Sequence, residues 1–191
     1  MTQRKIRRTQ ERVFAPHHML LSAARHALEA ARSEKLGSFY GHLSAMTFSA
    51  LALEALCNAI GSAVIQDWKD FDSARPIAKL RLLADELGVD YASGKKPWLT
   101  ARWLMQFRNA IAHAKSESLQ TDEVISEQEH KNRKFDWPQS KLEREVTAGN
   151  AERALAAVVD IKRLFLERIP MDKRSGLEVD SATGSSTVHI D

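Results

Sequence analysis

The segment from Phe39 to Ile65 constrains the fold of this chain more than any other part of its sequence. Between Leu43 and Gln66 the single charged residue is Glu54. A helix that is apolar on nearly all sides is either surrounded by other helices or lies in a membrane. Polar residues such as Asn58 interrupt the segment and no basic residue directly adjoins either end, so we expect a buried central helix rather than a membrane span.

The rest of the chain also predicts helices. Its 191 residues suit a single domain, and 8 Gly and 5 Pro are too few for the turns of a many-stranded sandwich or barrel. Apolar residues recur at helical spacing after Pro16, after Pro97, within residues 75–88 and within Ser140–Ile169. The sequence therefore predicts an all-α, single-domain bundle of about five helices over residues 16–170.

The two ends of the chain have a different composition. Residues 1–12 carry a net charge of +4, whereas the remaining residues sum to −1. Residues 1–15 are predicted to be a basic, flexible arm that contacts an acidic surface such as nucleic acid, or that is simply solvated. Residues 171–191, which include SATGSST, are predicted to be a disordered tail.

The cysteine count and the absence of familiar motifs limit the chemistry. A lone cysteine, Cys57, excludes a disulfide within the chain and a cysteine-based zinc cluster. The basic N-terminus is not followed by an apolar signal segment, and no Gly-rich phosphate loop is present. We therefore expect a cytoplasmic protein that needs no metal or cofactor and does not associate with a membrane.

The helix after Pro97 contains the most informative pattern. Spacing at about 100° per residue predicts a core stripe of Trp103, Phe107, Ala110, Ile111 and Ala114. The same spacing predicts an opposite, polar face of Arg102, Met105, Gln106, Asn109 and His113, with Arg108 at its edge. Met105 is apolar within that face, which predicts that a second copy of the chain covers it.

Arg108, Asn109 and His113 together suit phosphate chemistry. Arginine offers a planar, permanently charged fork to two phosphate oxygens, and histidine exchanges protons near neutral pH. Asn109 and His113 are one turn apart and stack on the helix surface. The alternative is an exposed polar helix face without a function.

Arg108-Asn109-Ala110-Ile111-Ala112-His113 resembles the Arg-x4-His motif of HEPN domains, including the asparagine that often follows the arginine. The helix order from Phe39 to Ile169 is similar to that family as well. Glu54 and Asn58 occupy positions where HEPN members often carry a polar residue that faces the motif. An ionised Glu54 on so apolar a helix needs a cation, and the resemblance points to Arg108.

The resemblance implies a homodimer in which two motif helices meet and form one composite cleft. Active HEPN members are metal-independent endoribonucleases that promote attack of the ribose 2′-OH on the adjacent phosphate and leave a cyclic phosphate. Many are toxins paired with an antitoxin protein, or act in phage defence. By this resemblance His113 is the acid/base and Arg108 clamps the phosphate, while Asn109 either orients His113 or holds the motif in place. The expected RNA contacts are Arg102, Lys115, Arg4, Lys5, Arg7 and Arg8.

One departure from the family and two alternative functions follow. Members silenced by a nucleotidyltransferase antitoxin carry a tyrosine two residues after the histidine, where this chain has Lys115. That mode of silencing is therefore not expected. The main alternative is a catalytically silent HEPN module that binds RNA, a nucleotide or a protein. A further alternative is a helical DNA-binding regulator that uses the basic arm, although no helix-turn-helix pattern is visible.

Overall fold

The computed structural model describes residues 5–33, 37–133, 137–178 and 181–189. Its described part is all-α in class, as the sequence predicts. The helices are α1 (Pro16–Ser33), α2 (Ser38–Val64), α3 (Pro76–Glu86), α4 (Trp98–Ala112), α5 (Glu127–Asn132), α6 (Lys141–Glu145) and α7 (Ala148–Leu166). Single-turn 3-10 helices occupy Trp68–Phe71 and Met171–Lys173. The count exceeds the five predicted because α5 and α6 are short helices, each started by a serine capping box.

Helix α2 is the centre of the bundle and packs against α1, α3, α4 and α7. Its buried side chains include Met46, Leu53, Leu56 and Ile60, each with no exposed surface. Within the described residues, α2 alone has the length and apolar composition to cross a membrane, and half of its most apolar window is buried. The core helix of a bundle meets the same criteria, and the contacts on four sides explain the near absence of charge.

Proline and glycine set several helix boundaries. Pro16 and Pro76 are the first residues of α1 and α3, where the missing N–H group has no helical partner to lose. Gly37 precedes α2 with φ of 94° and Gly88 follows α3 with φ of 61°. Both values lie in the left-handed region that glycine adopts without strain. These boundaries agree with the sequence analysis to within a few residues.

Two segments that lie near the ends of the chain pair with each other. Strand β1 (Lys5–Val13) and strand β2 (Ser181–His189) form an antiparallel two-stranded sheet in which Lys5 pairs with His189 and Val13 with Ser181. The predictions of a flexible arm and a disordered tail are therefore wrong for these residues. Both strands are mostly polar, so neither shows the alternation of apolar and polar residues that predicts a strand. Backbone hydrogen bonds between distant segments make this ribbon.

Cys57 is fully buried in α2, and its chemistry should follow from that position. Burial, opposed by Lys79 and reinforced by Glu54, raises the pKa of the thiol from 9.0 to about 12. Because the thiolate is the reactive form, native protein at pH 8 should resist alkylation by iodoacetamide, while guanidinium-unfolded protein should react fully. Mass spectrometry after timed quenching measures both rates. Rapid labelling of the native protein would contradict the buried position.

Candidate active site

Arg108 lies on the side of α4 that faces α2. Its Nη2 donates a hydrogen bond to Oε2 of Glu54 at 2.6 Å, and this contact is also an ion pair. Each of the two side chains is 29% exposed, so the pair is shielded from water over most of its surface. The predicted partner of Glu54 is confirmed. The charge on an otherwise apolar helix serves to hold the arginine of the motif.

Asn109 holds the same guanidinium from a second direction. Its Oδ1 accepts a hydrogen bond of 3.0 Å from Nη1 of Arg108. An arginine carries five N–H donors, and these two bonds use one from each terminal nitrogen. The group is therefore held in orientation while donors remain for an anion. Asn109 acts on Arg108 in the structure, whereas the sequence analysis gave it the choice of orienting His113 or holding the motif.

His113 follows the last residue of α4. Its backbone N–H donates to the carbonyl oxygen of Asn109 at 3.0 Å, which ties the residue to the end of the helix. Its imidazole is exposed and makes no hydrogen bond or ion pair with the described part of the chain. The structure thus brings Arg108, Asn109 and Glu54 into contact and leaves His113 presented to solvent one turn away.

The buried face of α4 differs from the predicted core stripe. Its buried residues are Trp98, Thr100, Ala101, Leu104, Met105 and Phe107. Relative to the prediction the buried face is rotated by roughly 100°, so that Arg108 lies within it and Ala110 and Ala114 are exposed. Of the predicted stripe, Phe107 is buried, and Trp103 and Ile111 are partly buried. The polar face is confirmed for Arg102, Gln106, Asn109 and His113, which are all exposed.

The observed orientation of α4 shows that the prediction about Met105 is wrong. Met105 is 4% exposed and belongs to the hydrophobic core of its own chain. It therefore does not indicate a surface that a second copy covers. Apolar residues lie on several sides of α4, so its pattern alone does not define one buried direction. Trp103, for example, lies at the edge of the core, where its indole N–H donates to Oε2 of Glu145 at 3.2 Å and its ring centroid is 4.3 Å from the Arg153 guanidinium.

Asn58 lies one turn after Glu54 on α2 but serves a different contact. Its Oδ1 accepts a hydrogen bond of 2.9 Å from Nζ of Lys79, which also donates to the carbonyl oxygen of Asp72 at 3.2 Å. Lys79 is only 2% exposed, so it needs these acceptors. The structure thus shows Asn58 bonded to Lys79 and shows no hydrogen bond between it and a described residue of the motif. The sequence analysis missed Lys79, whose one signal was its position among apolar residues of α3.

The basic residues expected to contact RNA are spread over the molecule. Arg102 and Lys115 are exposed on and just after α4. Arg7 and Arg8 are exposed on β1, where neighbouring side chains point to opposite faces of the strand. Lys5 is the first residue of β1, and Arg4 lies outside the described residues. Arg102 and Lys115 are the two that share the helix or its end with the motif.

No group of three or more His, Cys, Asp or Glu side chains in the described ranges is arranged to hold a metal ion. The candidate site therefore contains an anchored guanidinium, an amide and a solvent-facing imidazole at one end of a helix. Comparisons of the chain with protein-family models, with curated proteins and with solved structures find no match.

Proposed function

We propose that this protein is a HEPN-type, metal-independent endoribonuclease whose site is completed in a homodimer. The observation that carries the proposal is the anchoring of Arg108 by Glu54 and Asn109, five residues before an exposed His113. A guanidinium fixed in place can bind a phosphate without losing side-chain freedom on binding. An exposed imidazole can meet a substrate and exchange a proton with it.

The chemistry divides between these groups. His113 removes the proton from a ribose 2′-OH, and the 2′ oxygen attacks the adjacent phosphorus. The bond from phosphorus to the 5′ oxygen breaks, which leaves a 2′,3′-cyclic phosphate and a 5′-OH. Arg108 neutralises the negative charge that grows on the non-bridging oxygens. The departing 5′ oxygen takes a proton from an acid, and His113 of a second copy is the group we assign to this step.

The need for two proton-transfer groups is the chemical reason for a homodimer. One chain supplies one His113, whereas the reaction uses a base and an acid. Ala110 and Ala114, which are exposed beside a pocket of about 300 Å³ lined by Trp103 and Phe107, offer an apolar surface close to the motif. Following the family resemblance, we also propose a cytoplasmic location and an antitoxin protein as a partner.

The test is incubation of the purified protein with total RNA in the presence of EDTA. We expect cleavage to persist, because no step uses a metal, and the products to carry cyclic phosphate and 5′-OH ends. End-group labelling by a polynucleotide kinase distinguishes these ends from 5′-phosphate. As a second arm, light scattering at micromolar concentration should give twice the 21.5 kDa mass of the chain. Cleavage by a clean monomer would exclude the composite site.

A silent HEPN module is the second candidate, and the Glu54–Arg108 ion pair favours it. The carboxylate already occupies part of the guanidinium that a phosphate would use. Absence of cleavage, together with retained binding of RNA or of a protein partner, would support this alternative.

A further inference from the structure

A cleft between α1 and α7 lies apart from the residues of the proposed ribonuclease site. Its volume is about 640 Å³, within the usual range for small-molecule sites. Leu21 and Arg25 line it from α1, Val159 and Lys162 from α7, and Arg174 and Glu178 from the segment that follows α7. We name it the α1–α7 cleft. None of its lining residues belongs to α2 or α4.

The charges that line the cleft are unbalanced. Four cations, Arg25, Lys162, Arg163 and Arg174, face it together with two carboxylates, Glu167 and Glu178. Arg174 is paired with Glu178 and Arg163 with Asp160, each at 3.4 Å, whereas Arg25 has no carboxylate partner among the described residues. The lining residues carry a net charge of +2, or +1 when Asp160 is counted with them, in a chain whose residues 13–191 sum to −1. Such a concentration of positive charge attracts an anion.

Lys162 and Arg174 are the two cations of the cleft that are partly buried, and Lys162 is the one without a carboxylate partner among the described residues. The Nζ of Lys162 is 3.3 Å from Nδ1 of His18 and donates to the carbonyl oxygen of Glu178 at 3.2 Å. Burial and the Arg25 guanidinium lower the pKa of Lys162, while Glu178 raises it. Holding two cations near each other in a partly dry site costs free energy, and a bound anion offsets that cost.

The cleft also has an apolar wall. Leu21 is 2% exposed and forms part of the core, and Val159 and Leu166 stand on the facing helix. Val159 is 37% exposed, so its apolar surface is open to a ligand. An inorganic anion would contact the cations but would leave the apolar side chains exposed to water. A ligand with both a charged and an apolar part would use the whole cleft.

We propose that the α1–α7 cleft binds a small phosphate monoester that carries an apolar group. The phosphate lies between Lys162 and Arg25, and the apolar group lies against Val159 and Leu166. Phosphate is the suitable anion because the arginine offers paired N–H donors and the lysine a compact charge. The site is independent of the Arg108–His113 motif, so it does not depend on the proposed ribonuclease activity.

Isothermal titration of the full chain at pH 7 tests this with three probes: phenyl phosphate, inorganic phosphate and phenol. Phenyl phosphate should bind at least tenfold more tightly than inorganic phosphate or phenol, since it alone has both a phosphate group for the cations and an apolar ring for the apolar wall. Equal affinity for phenyl phosphate and inorganic phosphate would overturn the proposal. Val159→Ser should weaken the binding of phenyl phosphate and leave the affinity for inorganic phosphate unchanged.

Charge variants locate the binding. Lys162→Met keeps most of the aliphatic stem and should weaken the binding of phenyl phosphate at least tenfold. Arg25 is exposed, and Arg25→Gln should weaken the same binding. Lys131→Met is the matched control, because it removes an exposed lysine of α5 that pairs with Glu127. Circular dichroism confirms folding, and RNA cleavage should be unchanged in Lys162→Met. Unaltered phenyl phosphate binding in both cleft variants would refute the assignment. The assignment would also be refuted if the protein did not bind phenyl phosphate and its binding of RNA required Lys162.

Discussion

Replacing His113 with alanine should lower the rate of RNA cleavage by roughly 10²–10⁴-fold, the usual effect of losing one acid/base group. The imidazole is exposed and makes no hydrogen bond or ion pair with the described residues. The free energy of unfolding should therefore change by less than about 0.5 kcal/mol. His130→Ala is the matched control, because His130 is an exposed histidine on α5. Single-turnover cleavage of a defined RNA, with thermal unfolding alongside, measures both effects.

Arg108 requires a different design because it also holds Glu54. Arg108→Ala leaves that carboxylate without its cation, and loss of a partner for a largely shielded polar group costs about 1–3 kcal/mol of stability. Arg108→Lys keeps a positive charge near Glu54 but removes the planar fork. It should fold nearly as well as the natural protein and still lose most of its cleavage activity. The sequence analysis placed Arg108 at the edge of the polar face of this helix, whereas in the structure its side chain is 29% exposed and pairs with Glu54.

Two outcomes would count against this mechanism. Equal cleavage by the natural protein and His113→Ala would show that the activity comes from another site or from a contaminant. Full activity in Arg108→Lys would show that a point charge suffices and that the hydrogen-bonded orientation of the guanidinium is irrelevant.

Gly61→Ala should destabilise the fold strongly. A Cβ atom at this position of α2 would lie 2.5 Å from Cε3 of Trp68 and closer still to two other ring atoms. Both residues are buried, so neither can move into solvent. Overpacking of this kind costs about 1–3 kcal/mol. For a chain of this length that corresponds to a fall in the unfolding midpoint of roughly 2–12 °C.

Gly149→Ala provides the control for the same chemical change. Gly149 lies in the first turn of α7, and a Cβ there would meet no atom within 4 Å. Because alanine restricts the unfolded chain more than glycine does, this variant should be neutral or stabilised by up to about 1 kcal/mol. Differential scanning calorimetry of both variants gives the comparison. Equal midpoints for the two would mean that Trp68 does not pack on Gly61.

The sequence by itself determined the central helix, several helix starts and the need of Glu54 for a cation. Charged residues are nearly absent between Leu43 and Gln66, and in a helical bundle a helix that is apolar on nearly all sides must be enclosed by other helices. Pro16 and Pro76 start their helices because proline is tolerated in the first turn. A lone carboxylate on that helix required a cation, and the resemblance to the Arg-x4-His motif indicated Arg108, with which Glu54 does pair.

Only the tertiary structure decided which side of α4 is buried, which residue Asn58 contacts, that β1 pairs with β2, and where the α1–α7 cleft lies. Helix α4 has apolar residues on several sides, so its orientation depends on the surfaces of the helices around it, and these place Met105 inside and Ala114 outside. The strands β1 and β2 pair across the whole length of the chain. Local sequence does not encode a partner that distant, because each polar strand is stabilised only once the other is beside it.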